Sequence, residues 1–115
     1  MTPSGHMNTE QFAKLFRTTK DELISEYSNG NGTSVSKRIA ALNLSAQQKS
    51  EIIGILDDAL TDALYTSLMG LGGAASIGGV QQGYTISDEE GRVICRADDG
   101  ELEASAWLAF QSDRK

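Results

Sequence analysis

The side chains able to do chemistry in this chain are its carboxylates. Sixteen Asp and Glu residues are present, and two groups are set apart by their spacing. Asp57, Asp58 and Asp62 lie within about a turn and a half of one helical stretch. Asp88, Glu89 and Glu90 fall together in a turn, and Asp98, Asp99, Glu101 and Glu103 follow a few residues on. Three uses are open to such groups. A hard cation needs many oxygens wrapped around it; three carboxylates on a helix supply too few, and the spacing is not that of a calcium loop. Acid-base hydrolysis needs two carboxylates across a substrate cleft, usually in a larger scaffold. Charge-assisted hydrogen bonds to Lys or Arg of a partner need only an acidic face. The third use fits, so the expected partner-binding residues are Asp57, Asp58, Asp62 and Tyr65, helped by Asp88, Glu89 and Glu90. No catalytic residue, cofactor or metal is expected.

Histidine and cysteine point the same way. The one histidine, His6, belongs to Met1-Thr-Pro-Ser-Gly-His-Met7, where residues 1–6 read as a vector-derived tag before a native start at Met7. Without that segment the chain has no imidazole, which removes Ser-His-Asp and Cys-His nucleophiles, His bases and the usual zinc sites. Cys95 is the single cysteine. It sits in a stretch of strand character, reads as a buried structural thiol, and cannot pair within the chain, in agreement with a cytoplasmic setting. No basic-then-apolar secretory signal opens the chain, and no apolar run approaches the roughly 18 residues of a membrane span.

Charge is uneven along the chain. Residues 1–50 hold six Lys and Arg against four Asp and Glu, a balance of +2, and residues 51–115 hold four against twelve, a balance of −8. Such a field repels nucleic acid and anionic membrane surfaces and speeds encounter with a basic protein.

Positioning these groups falls to a central helix over residues 45–73. Ser45 and Gln48 form a capping box at its start, and Gly70, Gly72 and Gly73 close it. Ile53, Leu56, Leu60, Ala63, Leu64 and Leu71 share one arc at 100° per residue, opposite Glu51, Asp58, Asp62 and Tyr65. Asp58 and Asp62 are a like-charge i,i+4 pair, unfavourable by a few tenths of a kcal/mol in an isolated helix. A first helix carries Phe12, Leu15, Phe16, Leu23, Ile24 and Tyr27 at helical spacing, capped by Asn8 or Thr9. It ends at Asn29-Gly-Asn-Gly32, residues that tolerate positive φ. Two further turns over 35–42 present Val35, Ile39 and Leu42, with Thr33 or Ser34 as cap.

Six of the twelve glycines fall between Gly70 and Gly83. The run approximates a dinucleotide fingerprint but follows a helix in acidic surroundings, so it reads as a close-packed crossover from helix to sheet or a loop presenting Ile77 and Val80. Period-two alternation from Gly83 to Ala97, broken at Asp88-Glu-Glu-Gly91, predicts a β-hairpin. A hairpin alone is marginal, so it must pack on the helices or gain a strand from residues 76–82 or a second chain. A last helix over 101–112 has Glu101 and Glu103 in its first turn, Arg114 and Lys115 past its end, and Leu102, Ala106, Ala109 and Phe110 as its core face. Trp107 lies off that stripe, at the core edge or as an interface anchor. Helices, hairpin and helix in this order make an α+β fold, expected as a single domain over 7–115.

Asp57-Asp-Ala-Leu-Thr-Asp-Ala-Leu-Tyr65, Gly72-Gly-Ala-Ala-Ser-Ile-Gly-Gly-Val-Gln81, the turn Asp88-Glu-Glu-Gly91 and Gly100-Glu-Leu-Glu103 resemble the small acidic immunity proteins of bacterial polymorphic or contact-dependent toxin systems. The resemblance covers roughly residues 45–110 and leaves out the first helix. It implies a cytoplasmic antitoxin that binds a cognate toxin domain and blocks its active site or substrate access, and it brings no catalytic residues. A small acidic secretion chaperone, binding an extended effector segment and usually a homodimer, is the alternative, motivated by the open hairpin edge.

Overall fold

The computed structural model describes residues 6–113. Residues 1–5, on which most of the expected tag falls, and the basic pair Arg114 and Lys115 lie outside the described residues. The chain runs α1 (Thr9–Asn29), α2 (Ser34–Ala41), α3 (Ala46–Gly72), β1 (Ile86–Ser87), β2 (Val93–Cys95) and α4 (Glu101–Phe110), the α+β order expected. No helix among the described residues is long and apolar enough to cross a membrane.

Helix starts follow their local chemistry. Asn8 caps α1: its Oδ1 accepts from Gln11 N at 2.8 Å and its own N donates to Gln11 Oε1 at 2.9 Å. Thr33 caps α2 in a reciprocal box with Ser36. Ser45 and Gln48 do the same for α3 at 3.0 and 3.1 Å. Each box satisfies two backbone groups that a helix start would otherwise leave unpaired. Gly73, at φ +96°, closes α3 by a Schellman arrangement, with its N–H on Gly70 O and the Ala74 N–H on Met69 O.

Some sequence expectations are corrected. The Asn29–Gly32 link ends α1 without any positive φ. Gly30 is there for space: a Cβ would overlap the Glu26 carboxylate, which instead accepts from Gly32 N and Ser36 Oγ. Leu42 is not a core residue of α2 but its C-cap, 61% exposed, because Asn43 at φ +52° turns the chain away. Ala63, placed on the packed arc of α3, is exposed, while Tyr65, placed opposite, packs against the core. The buried side follows a seven-residue repeat, Thr61 with Leu68 and Leu64 with Leu71. Such a repeat drifts about 20° per heptad around a 3.6-residue helix. α4 stops at Phe110 instead of 112, and the following turn closes on Trp107 O.

The described residues form two compact units, 18–62 and 6–17 with 63–113. In the second of these, Ala13, Leu68, Cys95, Leu102, Ala106, Ala109 and Phe110 form the core, flanked by half-buried Phe12, Phe16, Leu64, Tyr65, Leu71 and Ile86. The hairpin gains no third strand among the described residues; Ile86 and Cys95 pack it on the helices instead. Its register places Ile86 opposite Cys95 and Ser87 opposite Val93, so Ile94 is an extra, bulged residue. The Ile94 carbonyl, out of the ladder, accepts from Thr9 Oγ1 at 2.6 Å. The glycine run is tightly packed at its start and open at its tip: a Cβ on Gly70 would come within 2.5 Å of Ile77 Cγ1, whereas one on Gly78 or Gly79, across which Ile77 and Val80 bond each other, would meet nothing, and Ile77 and Val80 are exposed. In the 18–62 unit Ile39 is the one buried apolar side chain, and Lys20, Ser36 and Thr61 are its buried polar ones.

Candidate functional site

Asp57, Asp58 and Asp62 all belong to the 18–62 unit, but α3 gives them different surroundings. Asp58 and Asp62 are exposed. Asp57 is turned toward α1, where its Oδ1 accepts from Lys20 Nζ at 2.9 Å, and the same ammonium donates to Thr61 Oγ1 at 3.1 Å. The Lys20 side chain is 6% exposed, against 42% for that of Asp57. A buried ammonium without a counter-charge is strongly unfavourable, so the first duty of Asp57 is to neutralise Lys20. Lys20 is the residue that sequence reasoning missed. Its signal was its position, in register with Phe16, Leu23, Ile24 and Tyr27 on the apolar stripe of α1.

The remaining predicted residues lie in the other unit. Tyr65 is half-buried against the core, and its ring contributes packing first. Asp88 is the organising residue of the hairpin turn. Its Oδ1 accepts from Glu90 N at 2.9 Å and Arg92 N at 3.0 Å, and its Oδ2 from Arg92 Nε at 3.0 Å. Gly91, at φ +85°, takes the left-handed position that closes the turn. Glu90 stands 3.5 Å from the same guanidinium, and Glu89 is exposed at the tip. The turn thus presents two acids and consumes the third in holding its own shape.

These contacts set the titration of the turn. The Arg92 N–H holds the Asp88 carboxyl below the usual carboxylate range; burial, the next influence in size, opposes it, and the Glu90 N–H and the Arg92 guanidinium add to the lowering. Asp99 is lowered likewise by the N–H groups of Arg96 and Glu101. A carboxyl lowered in the fold stabilises it above its unfolded value of about 3.9 and loses that contribution as pH falls through the folded value. Amide protection in the hairpin, read as the exchange rate relative to an unstructured chain at the same pH, should therefore fall below about pH 4. In Asp88→Asn the exchange should be faster at neutral pH and its acid dependence shallower; an unchanged pH profile would show that Asp88 does not carry the effect.

Other reactive groups are quieter. Burial pushes the Cys95 thiol up, Asp99 and Glu103 add to this, and a backbone contact from Ile86 opposes it, so the thiolate is scarce at neutral pH. Among the described residues no three His, Cys, Asp or Glu side chains converge to hold a metal. An open cleft of about 370 Å³ lies in the 18–62 unit between the last turn of α1 and the first two of α3, lined by Ser28, Asn29, Ala46, Lys49, Ser50 and Ile53. It offers one cation and no nucleophile–base pair. Chemically, the described surface favours recognition through Asp58, Asp62, Glu89 and Glu90. The chain matches no protein-family model, no curated protein and no solved structure.

Proposed function

We propose that this chain is an immunity-type inhibitor, a non-enzymatic protein of the bacterial cytoplasm that binds a basic toxin domain and blocks its active site or substrate access. The observation that carries the reading is the exposed Asp58 and Asp62 pair on α3. The two carboxylates stand four residues apart on one exposed helix face, where an Arg or Lys from a partner would form charge-assisted hydrogen bonds with them. The −8 balance of residues 51–115 extends the field that would steer a cationic partner. Many toxin domains of the resembled systems are nucleases with basic surfaces, for which an acidic cover is physically apt.

The test is co-purification from a bacterial lysate with the parent chain and with Asp58→Lys, Asp62→Lys. One basic polypeptide, growth-inhibiting when expressed alone and silenced by the parent, is expected on the parent. The double reversal should weaken it by well over 1.4 kcal/mol, or tenfold, with an unchanged melting temperature. Equal affinity for both proteins would remove this face from the interface, and a captured partner without toxicity would remove the inhibitor reading.

A further inference from the structure

The geometry points to the outer face of α4, formed by Ala104, Trp107 and Leu108, as a docking surface for a cationic amphipathic segment of a partner protein. Its apolar side chains would cover Trp107 and Leu108, and its Lys or Arg side chains would meet Asp98 and Glu101. This rests on the preceding reading in so far as that reading supplies a basic protein partner. α4 is apolar on both sides. Its inner arc, Leu102, Ser105, Ala106, Ala109 and Phe110, is buried, and Ser105, its one hydroxyl, faces inward. On the outer arc, at 100° per residue, Trp107 and Leu108 flank Ala104 and Gln111, and no charged residue occurs from Ala104 to Gln111. Trp107 is 51% exposed and Leu108 52%. A helix with one solvated face ordinarily carries charge there, and one apolar all round is ordinarily covered. An exposed Trp beside an exposed Leu is the composition of an interface anchor.

Charge and area choose the occupant. Glu101 lies on the same arc as Ala104 and Leu108, and exposed Asp98 and Asp99 stand at the same end with Arg96 as the one cation among them. The apolar strip is thus continuous with an acidic end, which complements a segment carrying both leucine-like and lysine-like side chains. A second copy fits poorly. Ten residues of helix are only about 15 Å long, so α4 against α4 would bury far less than the roughly 800 Å² per partner of a stable dimer. Two chains of net charge −6 would also repel. A cationic segment can continue past the helix onto the acidic end.

Trp107 is the only tryptophan, so its emission reports on the surface directly. The probe is a synthetic leucine–lysine peptide with leucines at i, i+3, i+4 spacing, beside an oligolysine of equal charge. The amphipathic peptide should shift Trp107 emission to the blue saturably, and Leu108→Glu and Glu101→Lys should each weaken binding at least tenfold with unchanged circular dichroism. The Asp58→Lys, Asp62→Lys variant should still bind and shift. Oligolysine binding equally well, or peptide binding without a shift, would overturn the surface. So would a blue shift with rising protein concentration and a dimer in sedimentation, which would make a second copy the occupant. Loss of binding only in the Asp58, Asp62 variant would overturn the α4 surface while leaving the basic-partner reading intact. Retained docking on α4 with no toxin silenced would do the reverse.

Discussion

Phe110→Ala is expected to destabilise the protein by about 3–5 kcal/mol, the usual range for removing a fully buried aromatic ring. Phe110 is 1% exposed and the largest of the fully buried side chains. Its neighbours in the core include Ala13, Ala106 and Ala109, whose side chains cannot swing in to fill a vacated ring. The other large members are Leu68 and Leu102, so one ring supplies a large share of the apolar surface removed from water in this unit. With domains of this size stable by roughly 5–15 kcal/mol in all, the loss is a large fraction of the whole. The melting temperature should fall by about 4–8 °C per kcal/mol. Phe110→Leu refills part of the volume and should recover most of the difference, which separates cavity formation from any general disturbance of α4. A change below about 1 kcal/mol in the alanine variant would mean that the ring is not close-packed.

The parts of this fold that were legible in the sequence are those decided within a few residues. Ser45 with Gln48, Thr33 as one of two candidate caps of α2, the glycines closing α3 and the Asp88–Gly91 turn each satisfy nearby backbone groups. Their signals therefore survive whatever packs around them. What escaped was set by partners distant in sequence. The strands are shorter than the alternation implied because the bulge at Ile94 hands its carbonyl to Thr9, 85 residues away. Tyr65 reaches the core because the core-facing side of its helix runs through Leu64 and Leu68, with Tyr65 about 60° round from Leu68, whereas an arc centred between Leu60 and Ala63 keeps it outside.

The candidate site divides along the same line. Asp58 and Asp62 were placed by helix phase alone, and both are exposed as that phase requires. Asp57, one residue earlier, lies about 100° round the helix from Asp58 and off that arc, and it faces a lysine 37 residues away. A further clue lay in the other helix, where Lys20 interrupts an apolar stripe. Asp88 shows the same thing within a turn, since its carboxylate is taken up by Glu90, Arg92 and the shape they enforce.

That distinction has a measurable consequence: Asp57→Ala should be more damaging than Lys20→Met. Removing Asp57 leaves the Lys20 ammonium buried beside the neutral Thr61 hydroxyl, which accepts from it. Breaking a fully buried pair from one side costs about 3–5 kcal/mol. Asp57 keeps 42% of its side chain in contact with water, so part of its attraction is already screened and about 1–3 kcal/mol is the expected loss. Lys20→Met instead removes the buried charge and keeps the length of the side chain, while Asp57 is left where water can solvate it. That variant should lie within about 1 kcal/mol of the parent, since apolar replacement of a buried ion is often neutral. The double variant should resemble Lys20→Met, because neither copy of it contains an uncompensated buried charge. Denaturant midpoints of the three variants decide the matter. If Lys20→Met were as damaging as Asp57→Ala, the pair would be a net source of stability and not a burial problem solved by Asp57. If instead the order holds, weaker partner binding by Asp57→Ala follows from a loosened 18–62 unit, and only Asp58 and Asp62 on this helix report on recognition itself.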